Sequence, residues 1–313
     1  MGIKTFVALS LLWYGTSIAA QDVDDYIRKF PGKITTRIGV QNTSNSFTVT
    51  DKETGEQSEF IPNDKTYLGL SVLFRSVEVD LGYAPSFFSE NQDNQDSKLF
   101  TLNFRMFLGQ WMQTLDFYNQ KGFFEINEVG TTSFPEFTTL KLGGTTSYIF
   151  NKRFSFRAVG FQNEWQKKSA GSFIPSFTFY FTRFGLDALP QGNSYSYDIA
   201  IGPGYYYNWV VKNHLIVGAG TTLGFGANIT RSDDETFSTG LAQVVLRTAL
   251  GYNSEKFFTG LNFSAQVLEY EQEDNTVFDD AITFVELYIG YRFNAPKKWI
   301  KKADDFNRRL GLD

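Results

Sequence analysis

A chain of 313 residues with no cysteine and one histidine excludes a disulfide framework, a thiolate metal site and a thiol nucleophile. Its net charge of −5 argues against a polyanion such as nucleic acid as partner. With 33 Phe, 16 Tyr and 27 Gly against 8 Pro, the palette is that of a strand former.

At the amino terminus Lys4 precedes an apolar run from Phe6 to Trp13, and small residues then close on Ala19 and Ala20. This order predicts a secretory signal peptide over residues 1–20. The run is well short of the roughly 20 apolar residues that a spanning helix needs. The mean hydropathy of −0.25 looks soluble, but a membrane strand gives the same average because only alternate residues face lipid.

Period-two alternation then runs through most of the chain. After a strand at 68–74, Val77, Val79, Leu81 and Tyr83 oppose Glu78, Asp80 and Gly82. Phe100, Leu102, Phe104, Met106 and Leu108 oppose Thr101, Asn103 and Arg105. Further strands are expected at 140–150, 154–161, 199–209, 215–225, 241–252 and 257–267. Near the end Val285, Leu287, Ile289, Tyr291 and Phe293 oppose Glu286, Tyr288, Gly290 and Arg292.

A soluble sandwich also alternates, with its polar face in water. Here the polar faces carry Gly, Ser, Thr, Asn, Gln and Tyr with scattered charges, which suits a crowded lumen better than a Lys- and Glu-rich surface. Short links at 75–76, 109–110 and 151–153 alternate with long polar ones at 51–59, 89–98, 228–236 and 269–280, as periplasmic turns alternate with outer loops. The expected fold is therefore all-β: a closed antiparallel transmembrane β-barrel over residues 21–293. The raw count is about thirteen strands, and bacterial single-chain barrels have even numbers. The phase breaks between Phe154 and Tyr195, so twelve strands follow if a segment there is a loop or lumenal insertion, and fourteen if a strand has been passed over.

Residues 294–313 form a basic amphipathic periplasmic tail. A short helix would align Trp299, Ala303, Phe306 and Leu310, flanked by Lys297, Lys298, Lys301, Lys302, Arg308 and Arg309. Such a helix suits the inner leaflet or a periplasmic partner; a solvated tail is the alternative.

The order of several short motifs resembles a family. Asp25-Tyr26-Ile27, Phe30-Pro31-Gly32-Lys33-Ile34, Pro62-Asn63, 69–74, Lys168-Ser169-Ala170-Gly171-Ser172, Gly202-Pro203-Gly204-Tyr205, and Gly290-Tyr291-Arg292-Phe293 with Pro296-Lys297 carry the likeness. Together they resemble an uncharacterised outer-membrane β-barrel family of Bacteroidota, the domain-of-unknown-function family numbered four-four-two-one. The resemblance implies a diderm envelope and an outer-membrane location, and brings no assigned activity.

Candidate chemistry is sparse. The glycines of 218–226 fit neither a phosphate loop nor a dinucleotide fingerprint, and they share one strand face, where they would narrow the wall or admit a neighbouring side chain. His214 sits beside Lys212-Asn213 in a turn with no nucleophile and orienting group in a known local motif. No His or Cys cluster suggests a metal, and the acidic segments 233–235 and 269–274 lack the ordered spacing of a calcium loop. No cofactor and no catalytic residue is expected.

The lumen is more informative. Glu78, Asp80, Arg105, Asp116, Lys141, Arg157, Arg247, Glu286 and Arg292 are the charged candidates to line it, and mixed signs in a narrow barrel pair with one another. The leading expectation is a non-enzymatic barrel for small-solute passage or ligand binding through a narrow, mixed-charge lumen. The alternatives are a structural, envelope-organising barrel and an outer-membrane hydrolase. Expected partners are outer-membrane lipids, the barrel-assembly machinery during biogenesis and a small solute.

Overall fold

The computed structural model describes residues 23–62, 66–88, 98–159, 163–185, 193–232, 235–271 and 275–309. The expected signal peptide, the 89–97 part of one expected loop, and residues 233–234 and 272–274 of the acidic segments lie outside them.

One helical turn, α1 (Val23–Tyr26), leads into β1 (Ile27–Lys29). There follow β2 (Lys33–Asp51), β3 (Gln57–Pro62), β4 (Thr66–Phe74), β5 (Val77–Tyr83), β6 (Lys98–Leu108), β7 (Trp111–Asn127) and β8 (Gly130–Tyr148). The second half contains β9 (Glu164–Gln166), β10 (Ala170–Phe173), β11 (Ser176–Gly185), β12 (Asn193–Gly202), β13 (Gly204–Val211), β14 (Leu215–Ser232), β15 (Glu235–Asn253), β16 (Phe257–Glu271) and β17 (Thr276–Asn294). Helix α2 (Lys297–Arg309) ends the chain's described part.

All pairings are antiparallel, and the sheet closes. Around the wall the order is β2, β4, β5, β6, β7, β8, β11, β12, β14, β15, β16 and β17, which returns to β2. This ring among the described residues has the even strand number of bacterial single-chain barrels. Two wall strands are each written in two pieces. β10 continues as β11 across Ile174-Pro175, and β12 continues as β13 across Pro203, because proline has no N–H to give the ladder. Facing is kept across both breaks: Ala170, Ser172, Ile174 and Thr178 are all buried.

The outward face is apolar and exposed. Ile38, Leu70, Leu81, Leu142, Ile199, Leu246, Leu287 and Ile289 are among it, with Leu287 at 62% exposure. So wide an apolar belt has lipid as its solvent. Aromatic rings mark its lower rim, where Trp111, Tyr148, Phe150 and Phe173 form a chain with centroids 4.9–5.6 Å apart. Tight turns close hairpins at this end, among them those with Arg75 (φ 56°), Gly109 (φ 62°) and Asn213 (φ 64°), and the β7–β8 link at the outer end is equally short.

Several expectations change. Of the expected strand 154–161, residues 160–161 lie outside the described residues, and 154–159 are not a wall strand. Phe154, Phe156 and Ala158 are buried inside the barrel, because at that level the lumen itself is apolar and an alternating segment can bury its apolar side inward. Asn151-Lys152-Arg153 accordingly opens this internal segment and is no hairpin turn. The described residues of the polar stretches 228–236 and 269–280 are largely strand, since β14, β15, β16 and β17 run on beyond the lipid belt. Between 51 and 59 the chain likewise forms β3, which pairs with β2 on one side and β7 on the other.

Candidate functional site

The lumen is layered. At the outer end Phe47 packs against Phe184 and Phe278 with centroids 5.0 and 5.7 Å away, and Phe123 lies 6.0 Å from Phe47. With Tyr180, Leu241, Leu268 and Tyr270 these side chains form one buried apolar cluster, contributed by strands from both sides of the bore. Each sits on the inward parity of its strand, so the same alternation that makes the lipid belt supplies the lid.

At the periplasmic end the described parts of 149–169 fold inward as a plug. β9 pairs with β1, so the amino-terminal segment and the plug form a small internal sheet. Buried Gln166 organises it: Oε1 accepts from Ser155 N (2.8 Å) and Asn208 Nδ2 (3.3 Å), while Nε2 donates to Arg153 O (2.7 Å) and Lys168 O (3.0 Å). Ser155 Oγ donates to Glu164 Oε2 at 2.6 Å, and Asn208 and Asn253 tie the segment to the wall. The β14 glycines make room. A Cβ at Gly218 would stand 2.9 Å from the methyls of Val159, and one at Gly220 would stand 2.1 Å from the ring of Tyr206.

Between lid and plug lies a chamber of about 120 Å³ lined by Arg37, Asp80, Arg105, Asp116, Tyr118, Arg247 and Glu286, with Phe154 and Phe156 of the plug below. Arg37 is its hub. Its guanidinium lies 3.1 Å from Asp80, 3.4 Å from Glu286 and 3.6 Å from Glu78, and it donates to Ser71 Oγ at 2.9 Å. Arg105 forms a second ion pair with Asp80. Asn262 Nδ2 donates to Glu286 at 3.2 Å, and the Tyr180 hydroxyl donates to Asp116 at 3.1 Å. Charges removed from water need this density of partners.

Of the charged residues singled out in the sequence, Glu78, Asp80, Arg105 and Glu286 meet around Arg37, and Asp116 and Arg247 line the same chamber. Three stand apart. Lys141 is buried nearer the lid and pairs with Asp280. Arg157 belongs to the plug, where it donates to the carbonyls of Arg75 and Phe107 and faces Glu164 at 3.7 Å. Arg292, at the periplasmic end, stacks on Phe30 and Phe258 and donates to Ser254 O and Asn253 Oδ1. Sequence reading missed Arg37, Asp198, Asp280 and Glu164. Arg37 had a signal, because Ile38 and Val40 begin an alternation that fades once β2 leaves the belt.

A second cavity, of about 660 Å³, lies on the periplasmic side of the plug, lined by Lys29, Phe30, Arg75, Phe107, Arg157 and Asn163 among others. His214 is a turn residue: its Nδ1 lies 2.8 Å from Asn253 O and its ring packs between Trp165 and Tyr252. No group of three metal-ligating side chains occurs among the described residues.

A family model, domain of unknown function DUF4421, matches residues 21–293. The chain belongs to that family. No curated protein matches it in sequence. In fold it is similar to the outer membrane protease OmpT from Escherichia coli, at 7% identity and TM-score 0.39, covering 85% of this chain and 98% of that one. It is also similar to the COG4313 outer membrane channel from Pseudomonas putida F1, at 10% identity and TM-score 0.40, covering 87% and 100%. Likenesses of this depth lend nothing to a choice between protease and channel. The chain's own closed, even-numbered wall and apolar belt are those of an outer-membrane β-barrel.

Proposed function

We propose that this DUF4421 barrel is a non-enzymatic, gated compartment for a small polar solute, closed at rest. The observation that supports this reading is the stacking of lid, charged chamber and plug along one axis, with Arg37 held by three carboxylates at the centre. The chamber admits several waters or a very small solute, since a water needs only about 10–15 Å³ of such space. Arg37, Asp80, Arg105, Asp116, Arg247 and Glu286 would contact that solute, Glu78 would support Arg37 from behind, and Lys141, Arg157 and Arg292 would hold the two closures. Passage then requires both closures to open: the plug, a hydrogen-bonded segment folded into the lumen, can shift without breaking the wall ladder, and the lid rings turn aside.

Planar-bilayer conductance of the folded protein tests the reading. The native barrel is expected to be silent, and a variant that opens both closures, Phe154→Ala/Phe156→Ala with Phe47→Ala/Phe278→Ala, to show discrete openings that an added Arg105→Gln makes less charge-selective. A folded variant of this kind as silent as the native barrel would overturn gated passage. The mutual pairing of the chamber charges favours the second reading, a structural barrel whose network only stabilises the wall.

A further inference from the structure

We infer that helix α2 is an interfacial anchor that lies on the periplasmic leaflet beside the barrel and binds anionic phospholipid headgroups. Helical spacing divides it into three faces. Ile300, Asp304 and Asn307 turn to the barrel: Asp304 pairs with Arg75 in the β4–β5 turn, Ile300 lies against Gly32, and Asn307 reaches the periplasmic cavity. The adjoining face presents Trp299 and Phe306, 53% and 49% exposed on a helix that buries no residue fully. Beyond them, on the side away from the barrel, run Lys298, Lys302 and Arg309, all exposed.

What covers the apolar face follows from where it points. The indole of Trp299 makes an edge contact with Phe74, centroids 6.1 Å apart. Phe74 sits on the outward parity of β4 with Leu70 and Val72, in the lipid-facing row. The apolar face of α2 therefore continues the lipid belt around the barrel's lower rim. A tryptophan at that level with a basic row beside it is the arrangement that an anionic bilayer surface selects: the ring enters the headgroup zone and the long cationic side chains snorkel to phosphate. The Arg75–Asp304 pair and the backbone bond from Ala295 N to Gly32 O (2.9 Å) fix the helix at the rim, so docking costs little ordering.

The absence of cysteine makes the test clean. Single-site variants Phe306→Cys and Arg308→Cys would carry a nitroxide, with folding checked by heat-modifiable migration. The full barrel would be reconstituted into phosphatidylcholine alone and into phosphatidylcholine mixed with phosphatidylglycerol. In the anionic bilayer the label at 306 should be open to oxygen and shielded from a water-soluble nickel chelate, with the reverse at 308. Lys298→Gln, Lys302→Gln and Arg309→Gln should each release it by about fivefold in the docked-to-free ratio. Equal nickel access at both sites in both bilayers would overturn the proposal in favour of a solvated helix. Shielding at 306 that is equal in the two bilayers and unchanged by the substitutions at Lys298, Lys302 and Arg309 would overturn it in favour of a face covered without anionic headgroups.

Discussion

Arg37 on β2 reaches across the intervening strand β4 to donate to Asp80 on β5 at 3.1 Å, with Ser71 of β4 bonded to the same guanidinium nitrogen at 2.9 Å. Glu286 of β17 approaches from the other side at 3.4 Å. One side chain thus ties four wall strands together where their inward faces converge.

Removing that hub leaves Glu78, Asp80 and Glu286 buried with less cation around them. Arg37→Met should destabilise the barrel by about 3–5 kcal/mol, read as a lowered urea midpoint in lipid vesicles. A change below about 1 kcal/mol, the scale of an exposed pair, would mean that the carboxylates protonate or hydrate without penalty.

The buried Lys141–Asp280 pair gives a different expectation. Lys141→Met alone should cost about 3–5 kcal/mol, whereas Lys141→Met with Asp280→Leu should fall close to the native stability, because the desolvation of both charges disappears with their attraction. A double variant as weak as the single one would show that the pair positions something else, with Asn45, which donates to Asp280 at 2.7 Å, the first candidate.

How much of this was legible in the sequence depends on what each strand face meets. Where one side is lipid and the other a polar lumen, as in Val77–Tyr83 and Lys98–Leu108, alternation gave the strand and its facing directly. Above the belt it fails. β2 turns Asn42, Ser44 and Ser46 outward, so polar residues occupy both sides and nothing marks that the strand runs on to Asp51. Inside the barrel it misleads, because Phe154 and Phe156 alternate as wall residues do while burying their rings against Tyr206 and its neighbours. β3 carried no sequence signal, since its pairing with both β2 and β7 is a tertiary fact.

Glycine spacing on β14 separates packing from chain flexibility. Gly220→Ala would drive a Cβ to 2.1 Å from the Tyr206 ring and should cost about 1–3 kcal/mol by overpacking. Gly240→Ala meets nothing within 4 Å and should be neutral or slightly stabilising in the same unfolding assay.

The β2–β3 turn carries a pH dependence. The backbone N–H groups of Thr54 and Glu53 donate to the Asp51 carboxylate at 2.9 and 2.8 Å and hold its pKa below the ordinary carboxylate value. A carboxyl lowered on folding stabilises the turn above its unfolded value and loses that contribution as pH falls through the lowered one. Amide-exchange protection at Thr54 should therefore drop in Asp51→Ala at neutral pH, and native and variant should converge in strong acid. Protection that is the same in both at neutral pH would show that the backbone bonds of the turn, Gly55 N to Asp51 O and Asp51 N to Glu56 O, fix it without the carboxylate.

One short strand, β3, bridges β2 to β7 above the ends of β4, β5 and β6. The circumference therefore has a step in it, and mechanical load on the outer hairpins passes through the long strands β2 and β7, bypassing the sector below. That sector contains the seven-residue β5, which has far fewer ladder bonds to break than the 18- and 19-residue strands β14 and β15 across the barrel. Ladder length thus points to a collar that resists load at the outer end and to one seam along the side where wall breathing is expected to concentrate.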